Sequence, residues 1–134
     1  MVELALRDAL GPVQLADIAR SQAISPKYLE QLFMPLRNAG LVRSERGPKG
    51  GYVLARPAAD ITALDVVTAV EGPLDLLDCV GEQGTCDRAD HCAARTLWKR
   101  ASEAVSAVLE STDLHALAKK QHAMNGPTAS RQPK

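Results

Sequence analysis

"VQLADIARSQAISPKYLEQLFMPLRNAGLVRSERGPKGGYVLA", residues 13–55, carries the local signals that decide the fold. Leu15, Ile18 and Ala19 stand at i, i+3 and i+4, which predicts a short amphipathic helix. Ser25 followed by Pro26 marks the start of another, because a serine oxygen can accept from first-turn N–H groups and proline presets φ at the first helical position. Leu29, Leu32, Phe33 and Leu36 then form an i, i+3, i+4, i+7 stripe that buries one face, and Asn38-Ala39-Gly40 closes the helix. Pro35 deletes the backbone bond to Gln31 and is expected to bend the last turn. Beyond it, two short alternating runs flank Gly47-Pro48-Lys49-Gly50-Gly51, the pattern of a β-hairpin.

Upstream, Leu4, Leu6 and Leu10 with Ala5 and Ala9 predict a helix ended by Gly11-Pro12. Two helices, a tight turn, a capped third helix and a glycine-tipped hairpin make a winged helix-turn-helix. The stripe on the third helix leaves Lys27, Tyr28, Gln31 and Asn38 outward, near the end that would enter a major groove. Glutamine pairs with adenine and lysine reaches guanine or phosphate. Ser25 can offer its hydroxyl to a phosphate at the helix N-terminus. Arg43, Arg46 and Lys49 lie on or near the hairpin, and Arg46 and Lys49 at its tip suit a narrow minor groove. Taken singly, polar residues on an amphipathic helix are its wet face and a glycine-rich loop is a turn. Their order and spacing carry the DNA-binding reading.

Charge distribution agrees with it. The 134 residues have a formal net charge of zero, but residues 1–56 hold eight Lys/Arg against five Asp/Glu, and residues 57–134 hold eight against eleven. A basic front half and an acidic rear half predict two jobs in one chain. The 46% hydrophobic content with only four aromatic residues predicts a core of Leu, Val, Ile and Ala, and hence mainly helices. No apolar run approaches the roughly 20 residues of a membrane span. Met1 leads straight into amphipathic sequence with no signal peptide, so a cytoplasmic protein with no membrane partner is expected.

"DITALDVVTAVEG" predicts a helix with Ile61, Leu64 and Val67 or Thr68 inward. "AARTLWKRASEAVSAVLEST" runs about five turns at roughly 3.6 residues per turn. On it Leu97, Ala101, Ala104 and Val108 mark a seam, with Trp98 and Val105 beside it, and such a seam calls for a partner. "LHALAKK" is a last short helix, and the remaining tail reads as disordered. The expected organisation is a DNA-binding region over 1–56, a connecting helix and cysteine loop over 57–92, dimerisation and terminal helices over 93–121, and a tail over 122–134.

Every cysteine of the chain falls in "CVGEQGTCDRADHC", with Cys79, Cys86 and Cys92 spaced C-x6-C-x5-C. In a reducing compartment such clusters bind metal or do redox work more often than they form disulfides. Iron–sulfur clusters are held by cysteine thiolates. Zinc is the rival, although its sites usually show tighter cysteine pairs, and a metal-free thiol switch is a third option. His91, Glu82, Asp87 and Asp90 stand as candidate fourth ligands; adjacent helical side chains diverge by about 100°, which would turn His91 away from Cys92. A small electron carrier would normally bring four cysteines per cluster, and no catalytic set of side chains is present.

"GPVQLADIARSQAISPKYLEQLF", "LRNAGLVRSERGPKGGYVLARP" and "ITALDVVTAVEG" closely resemble the bacterial winged-helix iron–sulfur transcription regulators that include IscR, NsrR and RirA, with IscR-like members nearest. The likeness runs through the cysteine loop and "LWKR" to about "LHALAKK", nearly the whole chain. It implies a dimeric transcription factor acting on a double-stranded DNA operator and carrying an iron–sulfur cluster, of the 2Fe–2S type with 4Fe–4S as the alternative. By the same resemblance Ser25, Lys27, Tyr28, Glu30 and Gln31 read the major groove, Arg46 enters the minor groove, and Cys79, Cys86 and Cys92 hold the cluster. In two respects the chain departs from that pattern. It opens partway through the family's first helix, and Arg95 stands where IscR-like members place a histidine.

Overall fold

The computed structural model describes residues 1–76 and 91–126. Helix α1 (Val2–Leu6) leads through a 3-10 turn (Asp8–Leu10) to α2 (Leu15–Gln22) and α3 (Pro26–Asn38). Strands β1 (Val42–Glu45) and β2 (Gly51–Leu54) form the hairpin. A second 3-10 turn (Ala58–Asp60) precedes α4 (Ala63–Glu71), and α5 (Ala93–Glu110) and α6 (Leu114–Asn125) follow. The described chain is mainly helical with one small sheet, a winged helix-turn-helix with a long helix appended.

Local chemistry explains the boundaries. Ser25 caps α3, its Oγ accepting from the Tyr28 N–H at 3.3 Å with Pro26 at the first helical position. Ala23 at φ 53° ends α2 in the left-handed region and makes the tight turn between the two helices. Thr62 and Asp65 form a reciprocal capping box at the start of α4, with both bonds at 3.0 Å. Helix α3 continues through Pro35 to Asn38; the Gln31 carbonyl that loses its helical partner lies on an exposed residue, where water can satisfy it.

The antiparallel hairpin pairs Val42 with Leu54 and Glu45 with Gly51. A third segment joins it. Val13 and Tyr52 exchange both backbone bonds, at 3.0 and 2.8 Å. A Cβ on Gly51 would sit 2.5 Å from the Val13 carbonyl oxygen, so glycine is what lets the two segments close.

The core gathers Leu4, Val13, Ile18, Leu29, Phe33, Leu36, Leu41, Val42, Leu54, Ile61 and Leu114. Fully burying each large aliphatic side chain contributes about 1.5–3 kcal/mol. Phe33 of α3 and Tyr52 of β2 meet edge-to-face with ring centroids 4.8 Å apart. That contact fixes the third helix against the wing and adds about 0.5–1.5 kcal/mol beyond area burial.

Several expectations need correction. The first helix does not run to Leu10: it stops at Leu6, and Leu10 is 82% exposed. The backbone must turn early to deliver Val13 to Tyr52, and Pro12 disfavours helical geometry at Gly11. On α4, Val66, Ala69 and Val70 pack on the core, while Leu64 and Val67 are half-buried and Thr68 is exposed. This helix lies between α3 and α5, so two of its faces are partly covered and periodicity alone picks out no single inward face. The last helix extends to Asn125, past the expected boundary at residue 121; its last turn is exposed, and the Gln121 side-chain amide donates to Asn125 Oδ1 across it at 2.9 Å. Residues 127–134 of the expected tail lie outside the described residues.

Candidate nucleic-acid interface and cysteine segment

Packing Leu29, Phe33 and Leu36 inward leaves the opposite face of α3 in solvent. Lys27, Tyr28, Glu30 and Gln31 are all exposed there, Tyr28 by 55%. Ser25, also exposed, spends an acceptor position on Tyr28 and keeps its own hydroxyl proton to donate. Met34 (66% exposed) and Arg37 continue the same face toward the C-terminus. The sequence reading omitted both, although the spacing Glu30, Met34, Arg37 follows the helical period.

On the wing, Arg46, Pro48 and Lys49 are exposed between the strands. Among the described residues Lys27, Arg37, Arg46 and Lys49 form no ion pair, so their charge is uncommitted. Arg43 differs: its guanidinium reaches Glu45 on the same strand face at 3.4 Å, an exposed pair of little stability value. The third helix and the wing thus present two acids, Glu30 and the Arg43-paired Glu45, among the unpaired cations Lys27, Arg37, Arg46 and Lys49 and hydrogen-bonding groups. Such a surface attracts phosphate while offering base-reading side chains.

Cys92 is the N-cap residue of α5, a half-buried free thiol that makes no side-chain capping bond. His91 beside it is exposed. Cys79 and Cys86, with Glu82, Asp87 and Asp90, lie outside the described residues. Among the described residues no group of three His, Cys, Asp or Glu side chains could hold a metal ion. Arg95 is half-buried on the first turn of α5.

Along α5, Leu97 (60%), Trp98 (40%), Val105 (39%) and Val108 (64%) are exposed large hydrophobics, with Ala104 exposed and Ala101 half-buried between them. Together they form a contiguous apolar stripe along the exposed side of the helix. No helix among the described residues is long and apolar enough to cross a membrane.

A short helix, a turn, a capped exposed helix and a cationic wing define a winged-helix DNA-binding protein. Residues 1–120 match the Rrf2 family, described as an iron-dependent transcriptional regulator, and the chain belongs to that family. It is 44% identical over 125 residues to the HTH-type transcriptional regulator IscR of Xenorhabdus nematophila, covering 93% of this chain and 76% of that one. The IscR of Serratia proteamaculans is 46% identical over 121 residues, 90% of this chain and 73% of the relative. Among solved structures, T. potens IscR superposes with a TM-score of 0.76 at 35% identity, covering 92% of this chain and 80% of that one. CymR, the global cysteine regulator of B. subtilis, superposes at 0.73 with 43% identity, covering 89% and 87%. The protein is a transcriptional regulator of the Rrf2 type and not an enzyme.

Proposed function

We propose that this chain is a cytoplasmic, homodimeric regulator whose operator affinity is set by an iron–sulfur cluster ligated by Cys79, Cys86 and Cys92. One observation carries the reading. The same 18-residue helix, α5, begins at Cys92, exposes the apolar stripe, and ends in a corner bonded to the DNA-binding core. Spanning about 27 Å at roughly 1.5 Å per residue, it is a stiff element that links sensor, dimer contact and reading head.

The donor set is chemically suited to the group. Three thiols, one of them free and half-buried at an uncapped helix start, match the sulfur ligation that clusters require. The 2Fe–2S form is the leading assignment, and the acidic and histidine side chains near Cys92 are candidates for the fourth ligand. Bound there, the cluster supplies iron–thiolate bonds that respond to iron, oxygen, nitric oxide or cluster status. The protein's part is mechanical. Pairing of the Leu97, Trp98, Ala101, Ala104, Val105 and Val108 faces from two copies sets the distance between two reading heads. Ser25, Lys27, Tyr28, Glu30 and Gln31 meet the major groove. Arg46 enters the minor groove, and Lys49 and Arg43 approach phosphates. A shift of α5 changes head spacing and therefore operator affinity.

A second reading keeps the fold and uses the thiols without a cluster, as a redox or zinc switch. The free, half-buried Cys92 thiol at the head of α5 favours this second reading. Anaerobic purification followed by iron, sulfide and zinc analysis and a visible spectrum decides between them. Iron and sulfide with visible absorption support the cluster; a colourless protein free of iron overturns it.

A further inference from the structure

Ser102 is the only buried polar side chain among the described residues, at 4% exposure. It sits on α5, where every other residue is half-buried or exposed. Its Oγ accepts a hydrogen bond from the Leu76 backbone N–H at 3.1 Å, across 26 positions of sequence. Leu76 comes three residues before Cys79, and Ser102 ten residues after Cys92. Leu74 and Asp75 lie in the same shallow groove as Lys99, Glu103 and Ser106. The chain entering the cysteine segment is therefore bonded to the helix that leaves it.

We propose that Ser102 is a positioning residue for the sensor, and that its bond to Leu76 transmits the state of the cysteines to α5. This rests on the reading that the three thiols are the sensing site. Ligation draws the residues following Leu76 toward Cys92 at the head of α5. With Cys92 as the sole attachment, the pull acts at one end of the helix only. With Leu76 held at Ser102, about 15 Å further along at roughly 1.5 Å per residue, the helix is gripped at two points. A two-point grip turns or shifts the whole helix. Serine suits the place because its buried hydroxyl offers an acceptor while letting the incoming backbone lie close.

Three variants test this. Ser102→Ala removes the acceptor, Leu76→Pro removes the donor without altering α5, and Ser102→Thr keeps a hydroxyl. The measurements are iron and sulfide content, thermal melting, operator affinity of cluster-loaded against metal-free protein, and the emission of Trp98, the sole tryptophan, one turn before Ser102. In the wild type, loading changes both affinity and Trp98 emission, with a coupling in the usual range of roughly 5- to 150-fold. Ser102→Ala and Leu76→Pro are expected to keep iron content and metal-free operator binding, yet bring the loaded-to-metal-free ratio close to one. Ser102→Thr restores the ratio, and the double variant is no worse than either single one. If Ser102→Ala does not fold, Leu76→Pro gives the answer. A wild-type ratio in the folded variants, additive losses in the double variant, or a Ser102→Thr that behaves like Ser102→Ala overturns the proposal.

Failure of the cluster reading shows separately, as wild-type protein lacking iron and sulfide. The tether is then judged by alkylating the cysteines of the metal-free protein. Trp98 emission and operator affinity should shift in the wild type and not in Ser102→Ala. Equal shifts in both, or none in the wild type, overturn it.

Discussion

Leu114 donates its backbone N–H to the Ile61 carbonyl at 2.9 Å, and both side chains are fully enclosed, at 1% and 0% exposure. The Ala63 N–H returns a bond to Thr112 at 2.7 Å, and Asp113 caps α6 through the Ala116 N–H at 2.8 Å. The corner between α5 and α6 is thus joined to the start of α4 and to the core beneath the third helix. Leu114→Ala should cost about 2–5 kcal/mol, the range for deleting a buried leucine where the site collapses only partly. Urea unfolding measures it, and an unchanged midpoint would mean that this corner is not part of the cooperative core.

The wing depends on a close backbone approach. Gly51→Ala places a methyl 2.5 Å from the Val13 carbonyl oxygen, and the obstruction is backbone that cannot rotate away. We expect a loss of about 1–3 kcal/mol and faster amide exchange at Val13 and Tyr52, with the α3 amides still protected. Retained protection at Val13 would show that the segments part without cost.

Reading and anchoring contacts should separate in DNA binding. Gln31→Ala is expected to cost about 1–3 kcal/mol at its cognate base pair and to relax preference there. Lys49→Ala should weaken all duplexes alike and lower the salt slope by about one unit. Arg46→Ala should hurt most on sites with narrow A·T-rich flanks. Salt titrations against cognate, mismatched and flank-altered duplexes make the comparison. Equal losses for Gln31→Ala on every duplex would remove α3 from the reading role.

Each of Cys79→Ala, Cys86→Ala and Cys92→Ala should abolish or severely weaken iron and sulfide binding, because three thiolates leave no spare ligand. Cys92→Ala is the informative case. Its thiol makes no capping bond, so the metal-free variant should melt within about 0.5 kcal/mol of the wild type. Loss of iron then reports ligation rather than unfolding, and a variant with full iron content would exclude its cysteine as a ligand.

Ala101→Glu should break the homodimer, because two carboxylates brought face to face across a two-fold contact repel and lose hydration. Light scattering should give a monomer mass, and an undiminished dimer mass would move the interface elsewhere.

Much of this was legible from short stretches of chain. The Ser25-Pro26 start, the Leu29 to Leu36 stripe, the Gly40 stop and the glycine-rich wing are encoded by cap chemistry, helical period and turn residues. Each acts within a few positions, so a linear reading recovers it. The outward placement of Lys27, Tyr28, Gln31, Arg46 and Lys49 follows from the same periods.

What the tertiary structure alone decided involves partners far apart in sequence. Leu10 is left in solvent because Val13 must reach Tyr52. The inward face of α4 is chosen by α3 on one side and α5 on the other. Helix α6 is held at its start, where Leu114 and Ala118 are buried against the core. Ser102 and Leu114 find their partners 26 and 53 positions upstream, at Leu76 and Ile61. Composition and periodicity state which residues prefer burial and which local conformations they favour. They do not say which apolar surface or carbonyl will be waiting, because that depends on how the whole chain closes on itself.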